Sequence, residues 1–110
     1  GFLPADFAAP NGESFAAVMT RVSKTISRLS THHAGRDIVA VAHGGSIRAA
    51  LGHALGIAPN QALSFTIDNL SITRIDCFHG ADGRQDWCVI GVNLPPSKSA
   101  AHGVVFPPRR

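Results

Sequence analysis

The dipeptide His-Gly occurs three times in the chain, at His43-Gly44, His79-Gly80 and His102-Gly103. Six histidines and eleven glycines make the dipeptide alone uninformative, so its surroundings must decide. His43 is the one preceded by an apolar run, Asp37-Ile-Val-Ala-Val-Ala42, and followed by Gly44-Gly45 and a helical stripe. A helix start offers unpaired backbone N–H groups and a partial positive charge, which suit an anion. Glycines at 44 and 45 let that anion approach the backbone closely. An imidazole there donates a hydrogen bond or, when protonated, supplies a positive charge. Together these favour a phosphate-like anion over a neutral ligand. The plainer reading is that His43 ends a strand and bonds locally.

The elements that must position His43 follow from apolar spacing. Phe15, Val18, Met19, Val22, Ile26 and Leu29 recur at three and four, which predicts an amphipathic helix over about residues 12–33. Asn11 is the expected N-cap, Glu13 the first-turn acid and Gly35 the stop. Residues 37–42 are apolar without alternation, as in a strand covered on both faces of a parallel sheet. Ile47, Ala50, Leu51, Ala54 and Leu55 give a second helix, ended by Gly56 and Pro59. Helix, buried strand, glycine turn and helix make half of a doubly wound α/β arrangement. Ligands of such sheets bind beyond the carboxyl ends of the strands, where His43 stands.

A short helical turn is expected near Asn60–Leu63, then strands over residues 70–78 and 85–92 joined by Asp82-Gly83, a two-residue hairpin signal. Such a turn pairs residues whose numbers sum to 165 and sets Cys77 opposite Cys88, at a hydrogen-bonded site. The wider Cα separation there favours two reduced, partly buried thiols over a disulfide. Residues 1–94 read as one folded unit after an opening loop, and 95–110 as a flexible proline-containing tail.

Composition excludes several function classes. The 110 residues are 45% apolar and 15% charged, and no apolar run reaches the roughly 18 residues of a membrane helix. The net charge of +3 is scattered, with no basic stripe and no tyrosine, which argues against nucleic acid as partner. Two cysteines are too few for a disulfide scaffold and lack zinc-site spacing, so no metal is expected. No secretory signal layout is present, and the reading is a cytoplasmic protein. The chain opens with Gly1 and its only methionine is Met19, which predicts a processed chain or a piece of a longer one.

Pro10-Asn-Gly-Glu-Ser14, the helix with Arg21-Val22, Asp37-Ile-Val-Ala-Val-Ala-His-Gly-Gly-Ser-Ile-Arg48 and Asp68-Asn-Leu-Ser-Ile-Thr73 resemble, in this order, the second half of the histidine phosphatase (phosphoglycerate-mutase-like) superfamily. The resemblance implies a three-layer doubly wound α/β sheet, partial here because its N-terminal strand–helix units are missing. It implies phosphoryl transfer, most readily phosphomonoester hydrolysis through a phosphohistidine, on a phosphorylated small molecule, with no cofactor. In that family the phosphohistidine forms on a histidine of an Arg-His-Gly motif. A second histidine, on the His-Gly turn, helps hold the transferring group. His43 takes the second role by resemblance, with Gly44 beside it. Arg21 stands where some members grip substrate, although a solvated arginine is the plainer reading. Glu13 is a further candidate, against the plainer reading of a helix-dipole acid.

No Arg-His-Gly occurs in these 110 residues, so by themselves they are expected to be inactive. In the family, the strand carrying the first histidine pairs beside the one ending at the His-Gly turn. Without it Ile38–Ala42 presents an unpaired apolar edge that invites self-association. Two other classes compete. An α/β-hydrolase would use His-Gly-Gly as an oxyanion turn, but its Gly-x-Ser-x-Gly elbow is lacking. A non-catalytic binder of phosphorylated ligands, or a degenerate family member, needs no nucleophile at all.

Overall fold

A computed structural model of the chain describes residues 5–8 and 12–96. The expected N-cap Asn11 and the tail from residue 97 lie outside them. Three helices, α1 (Phe15–His32), α2 (Gly44–Leu55) and α3 (Pro59–Ala62), precede two strands, β1 (Ile72–His79) and β2 (Gln85–Leu94). The strands form a two-stranded antiparallel sheet, so the described residues make a small α/β structure.

Helix α1 starts at Phe15, the first residue of its apolar stripe, and later than the capping signals at Asn11 and Glu13 predict. Ser14 is the N-cap, its side chain accepting the Ala17 N–H at 3.1 Å. Glu13 therefore lies before the helix rather than in its first turn. Ala5, 5% exposed, ties down this end: its carbonyl accepts the Ala16 N–H at 2.8 Å, and its own N–H donates to Asn60 Oδ1 at 2.9 Å. The predicted stripe is the packed one, with Val22 buried at its centre. The helix ends at His32, with Gly35 at φ +79° in the following turn.

Helix α2 ends as its sequence predicts. Gly56 adopts φ +64°, its N–H donates to the His53 carbonyl, and the Ile57 N–H donates to the Gly52 carbonyl. This paired closure satisfies carbonyls left open at the helix end, and glycine meets the left-handed requirement without strain. The core sits where the three helices meet: Ala49, Leu51 and Ala62 are fully buried. A Cβ on Gly52 would lie 2.9 Å from the Cβ of Ala62 and 2.7 Å from Met19 Cε, so glycine sets the closeness of that approach. Helix α3 matches the expected turn near residues 60–63. The Gln61 side chain accepts the Ala58 N–H at 2.8 Å, one half of a capping pair whose other half alanine cannot supply.

The hairpin register corrects the expected one. Cys77 pairs with Trp87 and Asp76 with Cys88, sums of 164 rather than 165. The cause is the loop. The Gly80 N–H donates to the Arg84 carbonyl at 2.7 Å and the Gly83 N–H to the Gly80 carbonyl at 3.0 Å, with Gly83 at φ +83°. This is a three-residue connection closed by a left-handed glycine, so one extra residue enters the turn. Further out, two irregularities between Ile72 and Ile75 shift the register again.

The segment 37–42 also departs from expectation. It is not a strand, and among the described residues no parallel sheet is formed. Ile38, Val39 and Val41 are 47%, 91% and 101% exposed. An apolar run reads as a buried strand only when neighbouring strands complete its hydrogen bonds and helices cover its faces. The described elements supply neither. No helix among the described residues is long and apolar enough to cross a membrane.

Candidate functional site

His43 is the N-cap of α2, with φ −90° and ψ 164°, and its carbonyl accepts the first helical bond from the Ile47 N–H at 3.1 Å. The amides of Gly44, Gly45 and Ser46 precede that bond, as at any helix start. In most N-caps a side chain satisfies one of them, but the His43 imidazole makes no such bond and is exposed. The ring therefore stands in solvent beside open N–H donors. A Cβ on Gly45 would meet nothing within 4 Å, so the space beside its α-carbon is open.

A cation that the site reading of the sequence did not single out sits at the same turn. Arg48, one helical turn above Gly44, donates from Nε to the Phe65 carbonyl at 2.7 Å. Its Nη1 would lie 3.0 Å from a Cβ placed on Gly44. Residues four apart in a helix share a face, so a helix starting at Gly44 already places the residue 48 side chain over the turn. Ile67 completes the wall, 3.7 Å from the same point. The arrangement brings an imidazole, open amides and a guanidinium to one helix start, which suits a tetrahedral oxyanion.

The description of the histidine phosphatase superfamily (branch 1) matches residues 2–88, which include all of these positions. The chain belongs to this superfamily. No curated protein and no solved structure matches it.

The other two candidate residues of this histidine phosphatase domain lie together, but not with His43. Arg21 donates from Nε and Nη2 to the two oxygens of Glu13, at 3.2 and 3.0 Å. The pair is on the surface, its side chains 58% and 43% exposed. The guanidinium hydrogen bond holds the Glu13 carboxyl below its usual range, and the carboxylate raises Arg21 in turn. Among the described residues no hydrogen bond or ion pair joins either of them to His43. Glu13 thus serves as a partner for Arg21, a role that its reading as a first-turn acid missed.

His53 is placed by packing. His53 Nε2 lies 3.2 Å from Ser27 Oγ, and its ring meets Trp87 edge-on with centroids 5.4 Å apart, which joins α1, α2 and β2. A shallow groove of about 470 Å³ runs over these residues and does not include His43. Among the described residues no three His, Cys, Asp or Glu side chains cluster as metal ligands do.

Proposed function

We propose that this chain carries the phosphoryl-binding turn of a histidine phosphatase domain whose complete form hydrolyses a phosphorylated small molecule through a phosphohistidine. The observation that supports this best is the exposed His43 residue at the start of α2, its ring uncommitted to capping, at the turn where Arg48 reaches over Gly44. His43 donates a hydrogen bond to a phosphoryl oxygen. The Gly44 and Gly45 amides receive the other oxygens, and Arg48 adds positive charge as the bond to the leaving group breaks. Arg21 is a substrate-gripping candidate further along α1, with Glu13 holding its guanidinium in place. In the complete domain the doubly wound parallel sheet would provide the strand neighbours that 37–42 lacks. A cytoplasmic setting and the absence of any cofactor belong to the same proposal.

Covalent transfer needs a nucleophile, and Arg-His-Gly does not occur in the 110 residues. That observation favours a second reading of the chain taken alone: it binds phosphorylated ligands without turning them over.

Backbone amide NMR during titration with inorganic phosphate tests the proposal. Shifts centred on Gly44, Gly45 and Ser46, abolished in His43→Ala with the remaining spectrum unchanged, are the expected result. A response centred elsewhere, or one that His43→Ala leaves intact, refutes it.

A further inference from the structure

Basic residues that are dispersed along the chain fall into one row on α1. Arg21, Lys24, Arg28 and His32 follow one another at three, four and four residues, the spacing of a single helix face. All four are exposed, and the 18 residues of the helix include no aspartate or glutamate. Like charges at this spacing weaken a helix, and a solvated face ordinarily mixes both signs. The helix dipole accounts for a cation in the last turn, at His32, but not for Lys24 and Arg28 further in. Among the described residues no ion pair or hydrogen bond joins Lys24, Arg28 or His32 to an acidic side chain.

We propose that this row is a docking surface for an acidic peptide in extended conformation, with carboxylates at alternate positions. The first cation of the row shows the contact. Arg21 is met by Glu13, a carboxylate from the non-helical segment before α1, through hydrogen bonds of 3.2 and 3.0 Å. Lys24, Arg28 and His32 continue the row and receive the partner's carboxylates in the same manner. Cations four residues apart stand about 6 Å apart along the helix axis. Alternate side chains of an extended strand point the same way and are about 6.6–6.8 Å apart, so the two rows match. Arg28 and His32 also border a groove of about 480 Å³ that Ser27, Thr31, Gly83 and Gln85 complete. Gln85 Nε2 donates to the Ser27 carbonyl at 2.9 Å and to Thr31 Oγ1 at 3.0 Å, which fixes the hairpin against the helix. The groove gives the peptide backbone room beside the cations.

Two other polyanions fit this surface less well. Neither the row nor the groove has a phenylalanine or tryptophan on which the bases of a single-stranded nucleic acid could stack. The apolar stripe of α1 is turned toward α2, with Val22 buried, so it is not offered to an anionic membrane.

The surface is separate from the His43 turn, so its test and that of the phosphate site can fail independently. Fluorescence anisotropy with the whole chain should show saturable binding of a labelled peptide in which glutamate and serine alternate. Lys24→Gln combined with Arg28→Gln should weaken that binding about 10-fold or more. The circular dichroism spectrum should not change, because both residues are exposed. Asn69→Asp combined with Leu70→Asp lowers the charge equally, near the Ile72–Leu94 end of the hairpin and away from Gln85. At about 0.1 M salt this control should weaken binding less than about 2-fold, since charges beyond about 10 Å are largely screened. A peptide of the same composition with its glutamates contiguous should bind several-fold more weakly. Equal weakening by the two double variants would mean a diffuse field rather than a row, and would overturn the proposal. Equal affinity for the two peptides, tighter binding of an oligouridylate of the same charge, or no saturable binding at all would overturn it too.

Discussion

Cys77 stands directly opposite Trp87 in the hairpin, and that pairing turns Cys88 to the other side of the sheet. Strand side chains alternate, so a register one residue away from the expected one places the two thiols on opposite faces. Both cysteines are free, as the sequence led us to expect, but the reason is orientation rather than the width of a hydrogen-bonded pair.

The two thiols should therefore react differently. Cys77 is half-buried on the face toward α1, and burial raises its thiol against a smaller opposing effect from Ser30. Cys88 is exposed. Alkylation at mildly alkaline pH should modify Cys88 first and Cys77 slowly, with the difference vanishing in denaturant. The unreduced protein should have the mass of the dithiol. A mass two hydrogens lower, or Cys77 reacting first, would show that the register is wrong.

Leu70 offers a different kind of test. It has φ +63° and is 88% exposed, so it bears backbone strain without burying its side chain. The strain is held by its surroundings. The Asp68 N–H donates to Asn93 Oδ1 at 2.7 Å, Asn93 Nδ2 donates to Asp68 Oδ2 at 3.0 Å, and the Ser71 hydroxyl donates to the Asp68 carbonyl at 2.7 Å. A left-handed backbone costs an ordinary L-residue about 1–2 kcal/mol, and asparagine tolerates it better. Leu70→Asn should stabilise the fold by about 1 kcal/mol and raise Tm by about 4–8 °C, the scale for a domain of this size. Leu70→Ala, which keeps the Cβ, should give no such gain. A lower Tm for Leu70→Asn would mean that the leucine side chain has a buried partner.

Acid titration should report the Glu13–Arg21 pair. The folded-state pKa of Glu13 is lowered, chiefly by the hydrogen bond from Arg21, with desolvation opposing it and the Arg21 charge adding a smaller lowering. A depressed carboxyl favours the folded state at pH above its unfolded pKa, and that preference fades as pH falls through the folded value. The pair is exposed, so the effect on global stability should be slight and salt-sensitive. Carbon-detected NMR should place the Glu13 midpoint below the ordinary glutamate value, and Arg21→Gln should return it there. A midpoint that Arg21→Gln does not move would mean the pair does not form in solution.

Much of this was legible in the residues themselves. The α1 stripe was readable because Val18, Val22, Ile26 and Leu29 repeat with the helical period whatever packs against them. The start of α2 at His43-Gly44 was readable because a glycine pair after an apolar run forces a change of element. The hairpin was visible, but not its register. Asp82-Gly83 serves both a two-residue turn and a three-residue one, and the choice lies in the Gly80–Arg84 bond, a contact outside the dipeptide. The run 37–42 misled for a related reason. Its composition describes a residue fit for a central strand, whereas a strand exists only with a partner.

Arg48 was the residue most easily overlooked, and its two contacts predict separable effects. The bond from Nε to the Phe65 carbonyl, 2.7 Å and half-buried, fastens α2 to the loop before β1. Hydrogen bonds made by charged groups contribute about 1.5–3 kcal/mol, so Arg48→Met should lower unfolding free energy in urea by about that amount. Arg48→Lys should lose most of the same stability, because an ammonium cannot reproduce the planar guanidinium's reach to a carbonyl on one side and the Gly44 turn on the other. Phosphate affinity should divide the two. If the guanidinium also supplies charge at the His43 turn, Arg48→Met should weaken phosphate binding about 10-fold, equivalent to 1.4 kcal/mol, while Arg48→Lys retains most of it. Equal phosphate affinity in both variants, with both destabilised, would reduce Arg48 to a fastening between helix and loop.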